Sequence, residues 1–118
     1  MAIPSGAGTE VLKRATASVA GADADTKILD GVTNHIYTIF SISCYNQSSS
    51  SGALIKIKIM ESGSSTRFLA DFVPIPSRGT FIWNDKFVMT GTDELFGNTT
   101  LDTAYFYVSY IDQDWTTP

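Results

Sequence analysis

The sequence is short of the residues that build most active sites and metal centres. Its 118 residues include one cysteine, Cys44, and one histidine, His35. A single cysteine excludes an intrachain disulfide, and one residue of each kind excludes a zinc cluster of several Cys and His. Positive charge is also scarce. There are 8 Lys and Arg against 12 Asp and Glu, a net charge of −4 and a pI near 4.6. That balance argues against binding nucleic acid, whose phosphates call for clustered Lys and Arg. No apolar run reaches the ~20 residues of a membrane-crossing helix, so no membrane partner is expected. Met1-Ala2-Ile3-Pro4 has neither the basic start nor the apolar stretch of a secretory signal, so a soluble protein made in a cytoplasm is expected. No G-x-x-x-x-G-K-[ST], G-x-G-x-x-G or G-x-S-x-G motif occurs. Neither a nucleotide cradle nor a nucleophile elbow is therefore indicated, and no cofactor is expected.

What is present is a β-rich chain of single-domain size. Hydrophobic residues make up 43% of it, enough for a globular core. Periodicity is two. Ala53, Ile55, Ile57 and Ile59 alternate with Leu54, Lys56, Lys58 and Met60, as in a strand with one buried and one wet face. His35 to Tyr45 is β-branched and aromatic on both faces and reads as a long central strand. Thr66 to Val73 and Ala104 to Ile111 are further strands, the second with Phe106, Val108 and Tyr110 on one side. Turn signals separate them. Asn46 to Gly52 predicts a hairpin tip, Glu61 to Ser65 a second turn, and Pro74 to Gly79 a crossing loop or an edge. Thr90 to Asp93 and Gly97 to Thr100 are further expected turns. Short strands with turns every 8–12 residues point to a sandwich or a barrel. Val11 to Val19 is the best helical candidate, but Thr16 and Ser18 favour extended chain equally.

One local pattern is sharper. Thr80-Phe81-Ile82-Trp83, Asn84-Asp85 and Lys86-Phe87-Val88-Met89 fit a two-residue hairpin, since Asn and Asp tolerate its left-handed backbone. That register puts Phe81, Trp83 and Val88 on one face and Ile82 and Phe87 on the other. A hairpin apolar on both faces is either fully buried or covered by a second sheet or subunit. The competing geometry is a bulge at Asn84-Asp85, with the strand restarting in a different sheet. Trp115, near the end of the sequence, is hard to bury within the same domain and is an interface candidate.

Candidate chemistry is sparse. Cys44 lies in an apolar run and reads as a small buried hydrophobe rather than a nucleophile. His35 reads as a strand-entry residue with a hydrogen-bonded ring. Asp23 with Asp25, and Asp112 with Asp114, each offer two carboxylates on one side of extended chain. They match no EF-hand loop and are expected to be solvated. No catalytic or metal site is assigned, and the chain is expected not to be an enzyme.

The segments MAIPSGAGTEVLKR, NHIYTIFSIS, TFIWNDKFVMTGTDEL and SYIDQDW together resemble small virion proteins of tailed bacteriophages, notably phages of marine bacteria. The resemblance spans both ends and the middle. It implies an all-β, single antiparallel sandwich, jelly-roll-like, with an extended N-terminal arm over residues 1–10 and the domain over 11–118. It implies a capsid decoration (cement) protein on the virion, made in the host bacterial cytoplasm. The implied partners are the major capsid protein and further copies of the chain, with a trimer favoured. Ile3, Pro4, Val11 and Leu12 are then arm anchors, with Lys13 and Arg14 facing acidic capsid surface. Phe81, Trp83, Val88 and Trp115 form a second contact. Phage tail, fibre and head–tail proteins use similar sandwiches, so those roles, or a glycan-binding surface module, are the alternative.

Overall fold

The computed structural model describes residues 9–61 and 65–115, the side chain of Thr9 excepted. Nine strands follow one another: β1 (Thr9–Ser18), β2 (Thr26–Asp30), β3 (His35–Asn46), β4 (Ala53–Glu61), β5 (Ser65–Ile75), β6 (Thr80–Trp83), β7 (Phe87–Thr90), β8 (Glu94–Thr99) and β9 (Ala104–Asp114). Sheet A has the order β1-β9-β3-β6, with β7 also paired to β3. Sheet B has the order β2-β8-β4-β5. Every pairing is antiparallel. With β6 and β7 taken as one interrupted strand, eight strands divide into two four-stranded sheets, crossing between them at every connection but β4–β5, which is the jelly roll. The expected all-β sandwich is therefore present. Val11 to Val19 is extended, as Thr16 and Ser18 favoured.

Alternation drives the layering. Ala53, Ile55, Ile57 and Ile59 of β4 face inward, as do Ala104, Phe106, Val108 and Tyr110 of β9. Ile39, Ile42, Ile55, Ile57, Leu95, Phe106 and Val108 are fully buried, each worth about 1.5–3 kcal/mol relative to exposure. Cys44 is sealed among them as expected, and its burial pushes the thiol up to about 12.

Three expectations are corrected. The loop 46–52 does not tip a hairpin, because β3 lies in sheet A and β4 in sheet B. It crosses between the layers, pinned by the buried Asn46. The Asn46 Nδ2 donates to the carbonyls of Ser51 (2.8 Å) and Pro76 (3.3 Å), and its Oδ1 accepts from the Ser48 amide and the Thr103 hydroxyl. Gly97 to Thr99 is not a turn but strand β8. Gly97 is required there because a Cβ would lie 2.5 Å from the ring of Phe106. Third, Phe81–Trp83 and Phe87–Met89 do not form a hairpin. Both pair with β3, Ile42 opposite Trp83 and Ile39 opposite Phe87. Asn84-Asp85-Lys86 is a bulge, and the strand restarts in the same sheet, not in another. The crossing at Pro76 and the edge position of Pro74 in β5 agree with the missing proline donors.

Candidate functional site

The outward face of sheet A is the most distinctive surface of the described residues. Because Ala15, Ala17, Phe106 and Val108 point into the core, their neighbours along the strands point out. Matching rungs cross the sheet. Leu12, Ile111, Thr38 and Val88 form one; Thr16, Tyr107, Ser43 and Ile82 form a second; Ser18, Tyr105, Tyr45 and Thr80 form a third. Leu12 is 72% exposed, Ile82 60% and Val88 53%. Across β9, β3, β6 and β7 the outward positions carry no Asp, Glu, Lys or Arg. Charge enters on β1, at Glu10 and Arg14, and in the bulge between Ile82 and Val88, where Asp85 and Lys86 are exposed. Gln113 donates to Glu10 (2.9 Å), and Arg14 donates to the Tyr107 hydroxyl (3.0 Å). Tyr45 and Tyr105 stack at a tilt, centroids 5.6 Å apart.

The outward face of sheet B is built differently. Lys58 pairs with Asp25 at 2.6 Å, and Asn98 donates to the same carboxylate at 3.0 Å. These hydrogen bonds hold the Asp25 carboxyl below its ordinary range. Lys27 bridges to Glu94 at 2.5 Å, which raises the lysine. Lys56 sits 4.3 Å over the ring of Phe72, whose φ of 54° marks a bulge in the edge strand β5. This face is charge-paired, and its exposed Phe68 and Phe72 lie under Lys58 and Lys56. The neutral face of sheet A, with Leu12, Ile82 and Val88 bare, has the composition of a contact surface.

At the rim of the sandwich, Asp112 is buried at 4% exposure and is held by two partners rather than solvated as expected. Lys13 Nζ lies 2.8 Å from one carboxylate oxygen and His35 Nδ1 2.7 Å from the other. His35 Nε2 is 3.4 Å from Asp114. The bond to Asp112 raises the Lys13 ammonium, and burial raises the phenols of Tyr37 and Tyr110, which pack at 5.0 Å. The arrangement compensates a buried carboxylate, and His35 is the hydrogen-bonded strand-entry residue the sequence indicates. Among the described residues no group of His, Cys, Asp and Glu is arranged to hold a metal ion.

The predicted contact residues separate in the fold. Ile3 and Pro4 lie outside the described residues. Strand β1 begins at Thr9, so Thr9 and Glu10, assigned to the arm, belong to the sheet together with Val11, Leu12, Lys13 and Arg14. Leu12 and Arg14 face outward. Val11 and Lys13 lie on the opposite side, and Lys13 is engaged by Asp112 rather than free for a partner. Phe81 and Trp83 pack half-buried against the core with Phe87. Val88 does not share their face; it stands outward with Ile82, because the bulge keeps Trp83 and Phe87 in phase. Trp115 is half-buried, its amide donating to the Asn34 carbonyl at 2.9 Å. The sequence groups Tyr105, Tyr107 and Ile111 on one side of their strand, but it does not bring Ile82 and Leu12 onto the same surface. Their alternation was legible, but the strand order that lines them up was not.

No protein-family profile and no curated protein matches the chain. Among solved structures, a chain from the T13 IBDV viral particle superposes on 89% of this chain with a TM-score of 0.57 at 9% identity. A pentameric capsid protein isolated from metagenomic phage sequences aligns over 91% of this chain and 60% of its own, at 15% identity and a TM-score of 0.38. The chain spans 31% of the length of the first. At such identity the first likeness shows a shared fold, and it agrees with the strand order: this chain is an antiparallel jelly roll.

Proposed function

We propose that the chain is a non-enzymatic virion structural protein, a capsid decoration (cement) protein that binds and stabilises a major capsid protein shell on the virion surface. The observation that carries this is the neutral, Tyr-, Ile- and Val-bearing outward face of sheet A, set against a charge-paired sheet B. Buried partners deplete charge from a contact centre and favour aromatics. The jelly roll, the sequence resemblance to phage virion proteins and the shared fold with a chain of a viral particle support the same role. Ile82, Val88, Tyr107 and Ile111 are the proposed contact centre. Residues 1–8, with Ile3 and Pro4 as anchors, are proposed to attach the domain, and many copies on one shell give avidity. The trimer rests on the resemblance alone.

Cryo-electron microscopy of virions from the host that carries this gene tests the role. Jelly-roll density of this chain on the capsid surface supports it, density on the tail moves the assignment to a tail or fibre component, and absence from purified particles overturns it.

A second role has one specific observation in its favour. Thr16, Ala17, Ser18, Tyr105 and Tyr107 line a shallow concavity on the same face. Tyrosines flanked by hydroxyls suit a sugar ring. Glycan-array binding that is lost in Tyr107→Ala would favour this role, and silence on the array would remove it.

A further inference from the structure

Among the described residues strand β1 is an edge: it ends the order of sheet A and pairs with β9 alone, over ten residues. An edge of that length presents a row of backbone donors and acceptors to any strand that can match it. Of the five alternate residues on its outward side, Glu10, Leu12, Arg14, Thr16 and Ser18, the first and third are charged, and Leu12 is the most exposed large hydrophobic residue described. On the opposite side Lys13 is already held by Asp112.

We infer that β1 pairs antiparallel with β1 of a second copy of the chain, in the register centred on Leu12, so that sheet A continues across a two-fold axis. Antiparallel pairing of a strand with its own copy sets that axis normal to the sheet, so directly opposed residues must share a face. Only registers centred on a residue satisfy this. Centring on Glu10, Lys13 or Arg14 opposes each to its own like charge, which is unfavourable. Centring on Val11 opposes Glu10 to Leu12 of the second copy. Centring on Leu12 opposes Leu12 to itself and Glu10 to Arg14 of the second copy, twice by symmetry. Of the registers centred on Thr9 to Ser18, this one alone opposes opposite charges, so charge complementarity favours it. It also joins the two neutral faces of sheet A into one surface, with Leu12 and Ile111 of each copy at the seam. The inference does not depend on the chain serving a virion.

Single-cysteine reporters test it on the full chain. Leu12→Cys, Val11→Cys and Ile82→Cys each replace an exposed side chain. The buried Cys44, its thiol raised to about 12, stays silent in all three. Directly opposed residues in an antiparallel pair lie roughly 4.5–5.5 Å apart at Cα, within disulfide reach. In a glutathione redox buffer, Leu12→Cys is expected to form covalent dimer far faster than the other two. In that background, Glu10→Arg or Arg14→Glu alone converts both opposed pairs to like charge and lowers the rate roughly tenfold. Mixing the two charge variants restores cross-linking as a heterodimer. Equal rates at Leu12 and Ile82, a fastest rate at Val11, or indifference to the charge reversals would each overturn the inference. Circular dichroism of each variant separates a lost contact from a lost fold.

Discussion

Trp83 and Phe87 face the same core, opposite Ile42 and Ile39 of one strand, although the three residues between them pair with nothing. Strand β3 has only Phe40 and Ser41 in the matching interval, and β3 itself carries one residue more than β9 there. The surplus grows outward from β9 through β3 to the bulge at Asn84-Asp85-Lys86. The bulge therefore sets the phase of β7: Phe87 and Met89 inward, Val88 outward. Deleting Asp85 is expected to flip that phase and turn Met89, now buried, toward water. The loss should reach about 3–5 kcal/mol in urea unfolding, the cost of emptying core positions, with the excess of a lost Phe87 contact. An insertion-tolerant surface loop would lose almost nothing.

Gly97 and Phe106 lock sheet B to sheet A. A Cβ on Gly97 would sit 2.5 Å from a ring that is itself fully buried and has no room to retreat. Gly97→Ala should cost about 1–3 kcal/mol by overpacking. Thermal or urea unfolding of the variant measures it, and wild-type stability would show that the sheets can part at this point.

The pH response has two arms. The Asp25 carboxyl is held low by Lys58 and Asn98. A depressed carboxyl adds stability that is present above its ordinary value of 3.8 and lost as pH falls through the folded value. Asp25 is well exposed, so the effect is small, and Asp25→Asn should remove it. Lys13 is held high by Asp112, and Tyr37 and Tyr110 are held high by burial. Their contributions are complete below the ordinary values of 10.5 and 10.0 and are lost as pH rises through the folded values. Alkaline unfolding should therefore set in above about pH 10, and Tyr37→Phe with Tyr110→Phe should move the onset upward. Denaturant midpoints measured across pH 2 to 12 follow both arms.

Much of this was legible in the chain. The Ile/Lys alternation of β4 named its buried face, and the apolar setting of Cys44 named its burial. The prolines at 74 and 76 marked the edge and the crossing. The failures share one cause. Asn46–Gly52 and Asn84–Asp85 have turn chemistry, but turn chemistry does not say which sheet the next strand joins. The chain changes layers after β3, so the first hairpin expectation failed, while β6 and β7 stay in one sheet and both pair with β3 rather than with each other, so the second failed too. Gly97 has the same root: its missing Cβ serves a ring nine residues away in sequence and in the other sheet, not a local turn. The outward face of sheet A was hidden for that reason too, since its rungs draw on strands from both ends of the chain.

The central claim is that this outward face makes the contact. Ile82→Glu with Val88→Glu places two charges on this face, on side chains already exposed. Each should change folding stability by no more than about 0.5 kcal/mol. The decisive measurement is the copy number of this double variant in purified virions relative to wild type, with Thr66→Glu at an exposed position of sheet B as the control. Loss of the double variant from particles, with the control retained and both proteins folded, is the predicted result. Wild-type incorporation of the double variant would contradict the account.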